Sequence, residues 1–252
     1  MSFAVDPDAY DRYMGRYSRL LAPQLADLAE VSAGQRVLDV GCGPGALTSE
    51  LVERLGAPAV AAVDPSEPFV TAAEERHPGI DVRRAAAEQL PFQDAVFDAT
   101  LAQLVVLLME NPTVGMEEMV RVTRKRGVVA ACVWDYAGGR GPVSVLWDAA
   151  RELDPDLVDE SHLAGVREGH LGELFEDAGL QEVEEAVHSI RVEHSSFEEW
   201  WEPLTLGVGP AGSYVAGLDP AREAQLRERC REKLPSAPFL LTAHAWAARG
   251  LA

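Results

Sequence analysis

The sequence is poor in several features that would settle its reading at once. It has only three cysteines in 252 residues, Cys42, Cys132 and Cys230, far apart and odd in number. That excludes a disulfide framework and any metal-ligand spacing, and it suits a reducing compartment. Positive charge is scarce: 22 Lys and Arg stand against 41 Asp and Glu, a formal charge of −19. A surface of that sign repels phosphate backbones and anionic headgroups, which argues against nucleic acid or membrane partners. The one dense basic run, Arg121 to Arg126, falls at the end of a predicted helix, where cations complement the helix dipole. Long apolar runs are missing as well. The longest uncharged one, Ala99 to Met109, is too short to span a bilayer and reads as a buried strand with its exit. The N-terminal MSFAVDPDAY lacks the basic-then-apolar pattern of an export signal. These absences lead us to expect a cytoplasmic protein with no metal and with neither nucleic acid nor membrane as a partner. Nothing in the sequence sets its oligomeric state.

What is present is an ordinary globular composition, 47% hydrophobic and 25% charged, with no repeat and no low-complexity tract. The length suits one domain spanning 1–252 with a substantial core. A helical segment fills much of 1–34, with Leu20, Leu21, Leu25 and Leu28 at helical spacing. Strands and helices then alternate through 35–135. The strands are 36–40, 59–64, 80–85, 95–106 and 127–134. The helices are 44–55, with Pro44 in its first turn and Gly56 as its stop, 67–76 behind Ser66 as N-cap, and 113–123. Such alternation predicts an α/β fold whose parallel sheet is covered on both faces. After Ala137–Pro142 the pattern changes. Helices at 143–153, 169–178, 197–204 and 220–234 flank strands at 181–192 and 239–247. We read 137–180 and 195–235 as helical lid insertions around the substrate, and 236–252 as the last strand.

The chemistry centres on VLDVGCGPGAL, residues 37–47. A strand ends in Asp39, and Gly41, Gly43 and Gly45 then punctuate a turn into a helix. Glycines admit positive φ and close approach by a ligand, and a helix N-terminus offers free N–H donors. The loop is compatible with a dinucleotide, with another adenosine-bearing cofactor, or with a tight turn that merely needs small residues. Asp39 at its mouth would repel a pyrophosphate and suit a ligand with a cationic end. Asp64 closes the next strand about twenty residues further on, where a carboxylate accepts from ribose hydroxyls. That spacing supports an adenosine site without choosing between cofactors.

The ordered segments VLDVGCGPG, AAVDPSEPFVTAA, AAAEQLPF, FDATLAQLVV and EEMVRVTRKRGVVAACVWD resemble the motifs of class I S-adenosylmethionine-dependent methyltransferases. Among these the chain is most similar to the small-molecule group of ubiquinone and menaquinone biosynthesis (the methyltransferase type 11 kind). The resemblance covers about residues 36–135, and YDRYMGRYS and AHAWAARG look like one branch of that group. It implies a Rossmann-like, doubly wound, mostly parallel sheet of seven strands, the last antiparallel. The implied cofactor is S-adenosyl-L-methionine, leaving as S-adenosyl-L-homocysteine. By the same resemblance Asp39, Gly41 and Gly43 would hold the methionine portion and Asp64 the ribose, with Pro65 and Ser66 around the adenosine. Ala87 and Glu88 would flank the adenine, Gln103 would lie under the sulfonium, and Arg16 or Tyr17 would reach the methionine carboxylate. The chain departs from the pattern at Ala86, where many relatives carry Asp. It departs again after the fourth strand, where LVVLLME offers no histidine, and at Lys125-Arg126-Gly127, where many have Pro-Gly-Gly.

Candidate catalytic residues are Asp135 and Tyr136, placed by the end of the fifth strand, and His170 at a helix start. His77, His188, His194 and His244 read as surface or structural groups, and Phe197, Trp200 and Trp201 as packing for the lid. Two other functions are compatible with parts of the sequence. A nicotinamide-dependent oxidoreductase would use the same glycine loop, although no Tyr-x-x-x-Lys pair is present. A catalytically degenerate cofactor-binding protein would account for Ala86 and the missing histidine.

Overall fold

The computed structural model describes residues 5–252; Met1–Ala4, at the start of the segment read as lacking an export signal, lie outside them. The centre is a seven-stranded sheet in the order β3-β2-β1-β4-β5-β7-β6. The strands are β1 (Val37–Val40), β2 (Val60–Asp64), β3 (Asp81–Arg84), β4 (Phe97–Gln103), β5 (Thr123–Trp134), β6 (Gln181–His194) and β7 (Phe239–Leu251). Pairings from β3 to β5 are parallel, and β7 runs antiparallel to both β5 and β6. The doubly wound sheet with one reversed strand is therefore as expected.

Local sequence explains these positions. Every residue of β1 (VLDV) and β2 (VAAVD) is buried, the mark of central strands covered on both faces. β6 alternates instead, turning Ile190, Val192 and His194 inward and charged residues outward, as an edge strand does. Helix α2 (Arg16–Leu28) follows a short α1 (Pro7–Tyr10) and a π-helical turn at Asp11–Gly15. It buries Tyr17, Leu21, Leu25 and their neighbours along one stripe, packed on the sheet and on α3 (Ala46–Leu55). Helices α4 (Glu67–Arg76) and α5 (Pro112–Val122) complete the first half. In α5, Asn111 caps the start by accepting from the Val114 amide, and Pro112 stands at the first helical position.

Several boundaries differ from those expected. Pro44 precedes α3 rather than entering it, because Gly45 takes a left-handed conformation (φ +98°) that ends the turn. β4 stops at Gln103, since Leu104 has φ +63° and Val106–Leu108 form a 3-10 turn. The basic run straddles α5 and β5. Only Arg121 of its cations lies on the helix, while Arg124 pairs with Asp98 from the strand.

The second half supplies α6 (Ser144–Leu153), α7 (His170–Asp177), α8 (Phe197–Trp201), α9 (Gly209–Ala216) and α10 (Pro220–Lys233). Gly179, at φ +87°, follows α7 in the expected terminating role. Helix α9 was not anticipated: GPAGSYVA carries Gly, Pro and a second Gly within four residues, which hide a helical pattern. α10 lies on α6, and the Glu202–Leu206 turn lies on the Asp11–Gly15 turn. Phe197 stacks on Trp201 with centroids 6.0 Å apart, and Arg231 covers Phe197 at 4.0 Å, so the aromatic set is packing. Among the described residues no helix is long and apolar enough to cross a membrane.

Candidate active site

Strand order reverses between β1 and β4, and at such a switch point the C-terminal strand ends splay into a crevice. A cavity of about 750 Å³ opens there. Its walls are Gly41 and Gly43 after β1, Asp64 and Pro65 at β2, Ala86–Gln89 after β3, and Gln103–Val105 at β4. Leu108–Asn111 and Val114 close one end, with Phe69 from α4 and Tyr10 from the N-terminal segment. Tyr10 meets Phe69 edge to face at 5.2 Å.

Two glycines are required by geometry. Gly41 has φ +69°, and a Cβ there would come within 2.4 Å of Val105 Cγ2. Gly43 has φ +53°, and its nearest neighbour is Tyr10 at 3.9 Å, so its bare backbone faces the cavity. Asp64 fixes this loop. Its Oδ2 accepts from the Gly43 amide at 2.9 Å and its Oδ1 from the Ser66 amide at 2.8 Å. Burial pushes the Asp64 carboxyl up to about 6, against the pull of those two amides. Gln103 Nε2 donates to the Ser18 carbonyl at 3.1 Å, which leaves Oε1 buried with no partner among the described residues. Glu88 Oε1 accepts from the Asn111 amide at 3.2 Å, closing the end where Ala86 stands.

The charge of these walls discriminates between ligands. Asp64, Glu88 and Glu110 are acidic, and among the described residues no Lys, Arg or His lines the cavity. A pyrophosphate would meet carboxylates without a counter-charge. The helix end that would receive it is covered as well. His77 Nε2 lies 3.2 Å from a Cβ placed on Gly45 and shares a hydrogen bond with Ser49 Oγ at 3.0 Å. Arg76 Nη1 donates to the Pro44 carbonyl at 2.9 Å beside it. S-adenosylmethionine fits better. Phe69, Ala87, Met109 and Val114 suit a base, Asp64 suits ribose hydroxyls, and Gln103 lines the cavity at the end of β4.

Of the residues expected from sequence, Gly41, Gly43, Asp64, Pro65, Ala87, Glu88 and Gln103 line this cavity, and Ser66 is buried beside it. The others are placed elsewhere. Asp39 lies beneath the loop rather than at its mouth, because it belongs to β1, two residues before the turn. Its Oδ2 accepts from Thr48 Oγ1 at 2.6 Å, Oδ1 has no partner among the described residues, and burial pushes the carboxyl up to about 7. Arg16 is held by Glu199 Oε1 and the Glu193 carbonyl, each at 2.9 Å. Tyr17 shares a hydrogen bond with His194 Nε2 at 3.0 Å. Both therefore serve the contact between α2 and the β6–α8 junction. Asp135 is bound into its own turn, paired with Arg140 and accepting from the Gly138 amide at 2.8 Å. His170 Nδ1 accepts from the Gly165 amide at 3.2 Å. Neither Asp135 nor His170 lines the cavity.

Tyr136 walls a second, smaller cavity of about 40 Å³ with Tyr13, Trp134 and Glu160. Tyr10, Leu104 and Leu108 line both cavities, so the two adjoin. Sequence reasoning missed Tyr10 and Glu160. Tyr10 lay within a segment already noted for its family likeness, whereas Glu160 follows Asp154, Asp156 and Asp159 and reads as part of a solvated acidic loop.

The model of the methyltransferase domain family matches residues 38–131. The chain is 31% identical over 162 residues to phosphatidylethanolamine N-methyltransferase of Cereibacter sphaeroides, across 62% of this chain and 77% of that protein. It is 39% identical over 102 residues to ubiquinone biosynthesis O-methyltransferase of Agrobacterium fabrum, across 39% and 40% of the two chains. It spans about half the length of other curated relatives, 45 to 50%. In fold it is similar to the YcgJ protein of Bacillus subtilis, with a TM-score of 0.60, 17% identity, and coverage of 94% and 98%. By its ordered motifs, its sheet order and these matches, the chain belongs to the class I S-adenosylmethionine-dependent methyltransferases.

Proposed function

We propose that the protein transfers a methyl group from S-adenosyl-L-methionine to a small-molecule acceptor. The observation that carries this reading is the cavity at the switch point, walled by the Gly41–Gly43 loop and Asp64 and free of cationic side chains among the described residues. When bound, the cofactor supplies an electrophilic methyl on a sulfonium, open to in-line displacement by the acceptor. In this reading Gly41, Gly43 and Gln103 hold the methionine portion, Asp64 the ribose, and Ala87 and Glu88 the adenine. Asp39 supports the loop from below through Thr48. Tyr10 and Phe69 close over the cavity and exclude water, and alignment with desolvation supplies up to ~7–11 kcal/mol in well-oriented systems. The helices of 137–180 and 195–235 enclose the acceptor. The relatives are named for both nitrogen and oxygen methylation, so they do not set the acceptor atom.

Calorimetry with S-adenosylhomocysteine and with NADH tests the cofactor. Binding of the first and not the second is expected, and the reverse overturns the proposal in favour of an oxidoreductase. Incorporation of labelled methyl from the cofactor into a metabolite extract then separates an active enzyme from a degenerate binder.

A further inference from the structure

We propose that the smaller cavity is the acceptor subsite for a primary aliphatic amine, whose ammonium group is received by Glu160 within a wall of tyrosines. This rests on the methyltransferase reading above. Glu160 is 4% exposed. Its Oε2 accepts from Trp147 Nε1 at 2.9 Å, and its other oxygen takes no hydrogen bond from the described residues although Glu160 walls the cavity. A buried carboxylate with one oxygen lacking a hydrogen bond from the described residues, in the wall of a cavity, calls for a donor, and a cation satisfies it best.

The surroundings point to the same class of ligand. Tyr13 and Tyr136, each 6% exposed, wall the cavity with Trp134, and the faces of such rings attract a cation. Neither tyrosine hydroxyl bonds to another described residue. No Lys, Arg or His among the described residues lines either cavity, so a carboxylate or phosphate acceptor has no counter-charge. The volume, about 40 Å³, holds one group little larger than a water molecule. Because Tyr10, Leu104 and Leu108 wall both cavities, an amine here lies next to the Gln103 end of the cofactor cavity.

Glu160 also disposes of the proton. Burial pushes its carboxyl up to about 7. One N–H bond of the ammonium breaks and an O–H bond forms on Glu160, leaving a carboxylic acid and a neutral amine whose lone pair is free to accept the methyl.

The test is calorimetry on the full chain near neutral pH, with n-hexylamine and n-hexanol as probes, with and without saturating S-adenosylhomocysteine. The amine is expected to bind at least about tenfold more tightly than the alcohol. That preference disappears in Glu160→Gln, which keeps an amide oxygen for Trp147, and persists in Tyr13→Phe, which keeps the ring. Equal binding of the two probes, or an amine preference that survives E160Q, overturns the proposal. If E160Q does not fold, Glu160→Asp replaces it: the shorter acid retains the preference in part, and equal binding of both probes there overturns the proposal too. Absence of S-adenosylhomocysteine binding would overturn the cofactor reading alone, because the amine titration is also run without it.

Discussion

The Gly43 amide donates to Asp64 Oδ2 at 2.9 Å, tying the loop after β1 to the end of β2. The bond joins two positions 21 apart in the sequence, and it holds the glycine backbone against one wall of the cavity. Asp64 thereby serves two ends, since the carboxylate that fixes the loop also faces the cavity.

Asp64→Ala is therefore expected to weaken S-adenosylhomocysteine binding by more than its ribose contact alone. Charge-assisted hydrogen bonds of this kind contribute about 1.5–3 kcal/mol each, so a loss of at least about tenfold is expected. Calorimetry measures it and circular dichroism checks the fold. An unchanged affinity would remove Asp64 from the site.

Gly41→Ala places a methyl 2.4 Å from Val105 Cγ2 at φ +69°. Overpacking and left-handed strain together should cost about 1–3 kcal/mol in denaturant unfolding. Adding Val105→Ala should restore the packing part and leave the backbone part. Full stability in the single variant would show that the loop relaxes freely.

Stability should depend on pH through buried acids. Asp39 and Glu160 are pushed up to about 7 and Asp64 to about 6, all by burial. A carboxyl raised in the folded state binds protons there that the unfolded chain has already lost, so stability falls as pH rises toward the folded value and levels off above it. His194 acts oppositely, since burial lowers it to about 4, but its effect lies below the ordinary value of 6.5. Above about pH 6.5, the ordinary value of His194, the melting temperature of the cofactor-free protein should go on falling through about pH 7 and then level off, and Asp39→Asn should flatten that slope. An identical slope in D39N would show that Asp39 is not the titrating group.

Tyr17→Phe separates packing from binding. Losing the hydroxyl leaves His194 Nε2 without its 3.0 Å partner and should cost about 1–3 kcal/mol of stability. Because Tyr17 does not line the cavity, S-adenosylhomocysteine affinity should stay the same. A marked loss of affinity with little loss of stability would instead place Tyr17 at the methionine carboxylate, as the family resemblance implied.

The sequence by itself determined the sheet and most of one cavity. Runs such as VLDV and VAAVD, each closed by a glycine loop or a helix cap, admit little but buried parallel strands, and strand ends are where such folds place ligands. Gly41, Gly43 and Asp64 sit at those ends, so local order was enough to point to them, whereas Ala87, Glu88 and Gln103 came from the family resemblance. Tertiary structure alone decided the direction in which the remaining residues face. Asp39, the residue on which the choice of cofactor first turned, points beneath the loop to Thr48, and the discrimination passes to walls without cations among the described residues and to His77 over Gly45. Arg16 and Tyr17 found partners on β6 and at α8, more than 170 positions away. Glu160 became a buried carboxylate only because Trp147, Tyr13 and Tyr136 close around an acidic loop that reads as solvated. The physical reason is the same in each case. Periodicity records whether a residue is buried along its own element, whereas the partner that gives a polar side chain its task comes from a segment distant in sequence.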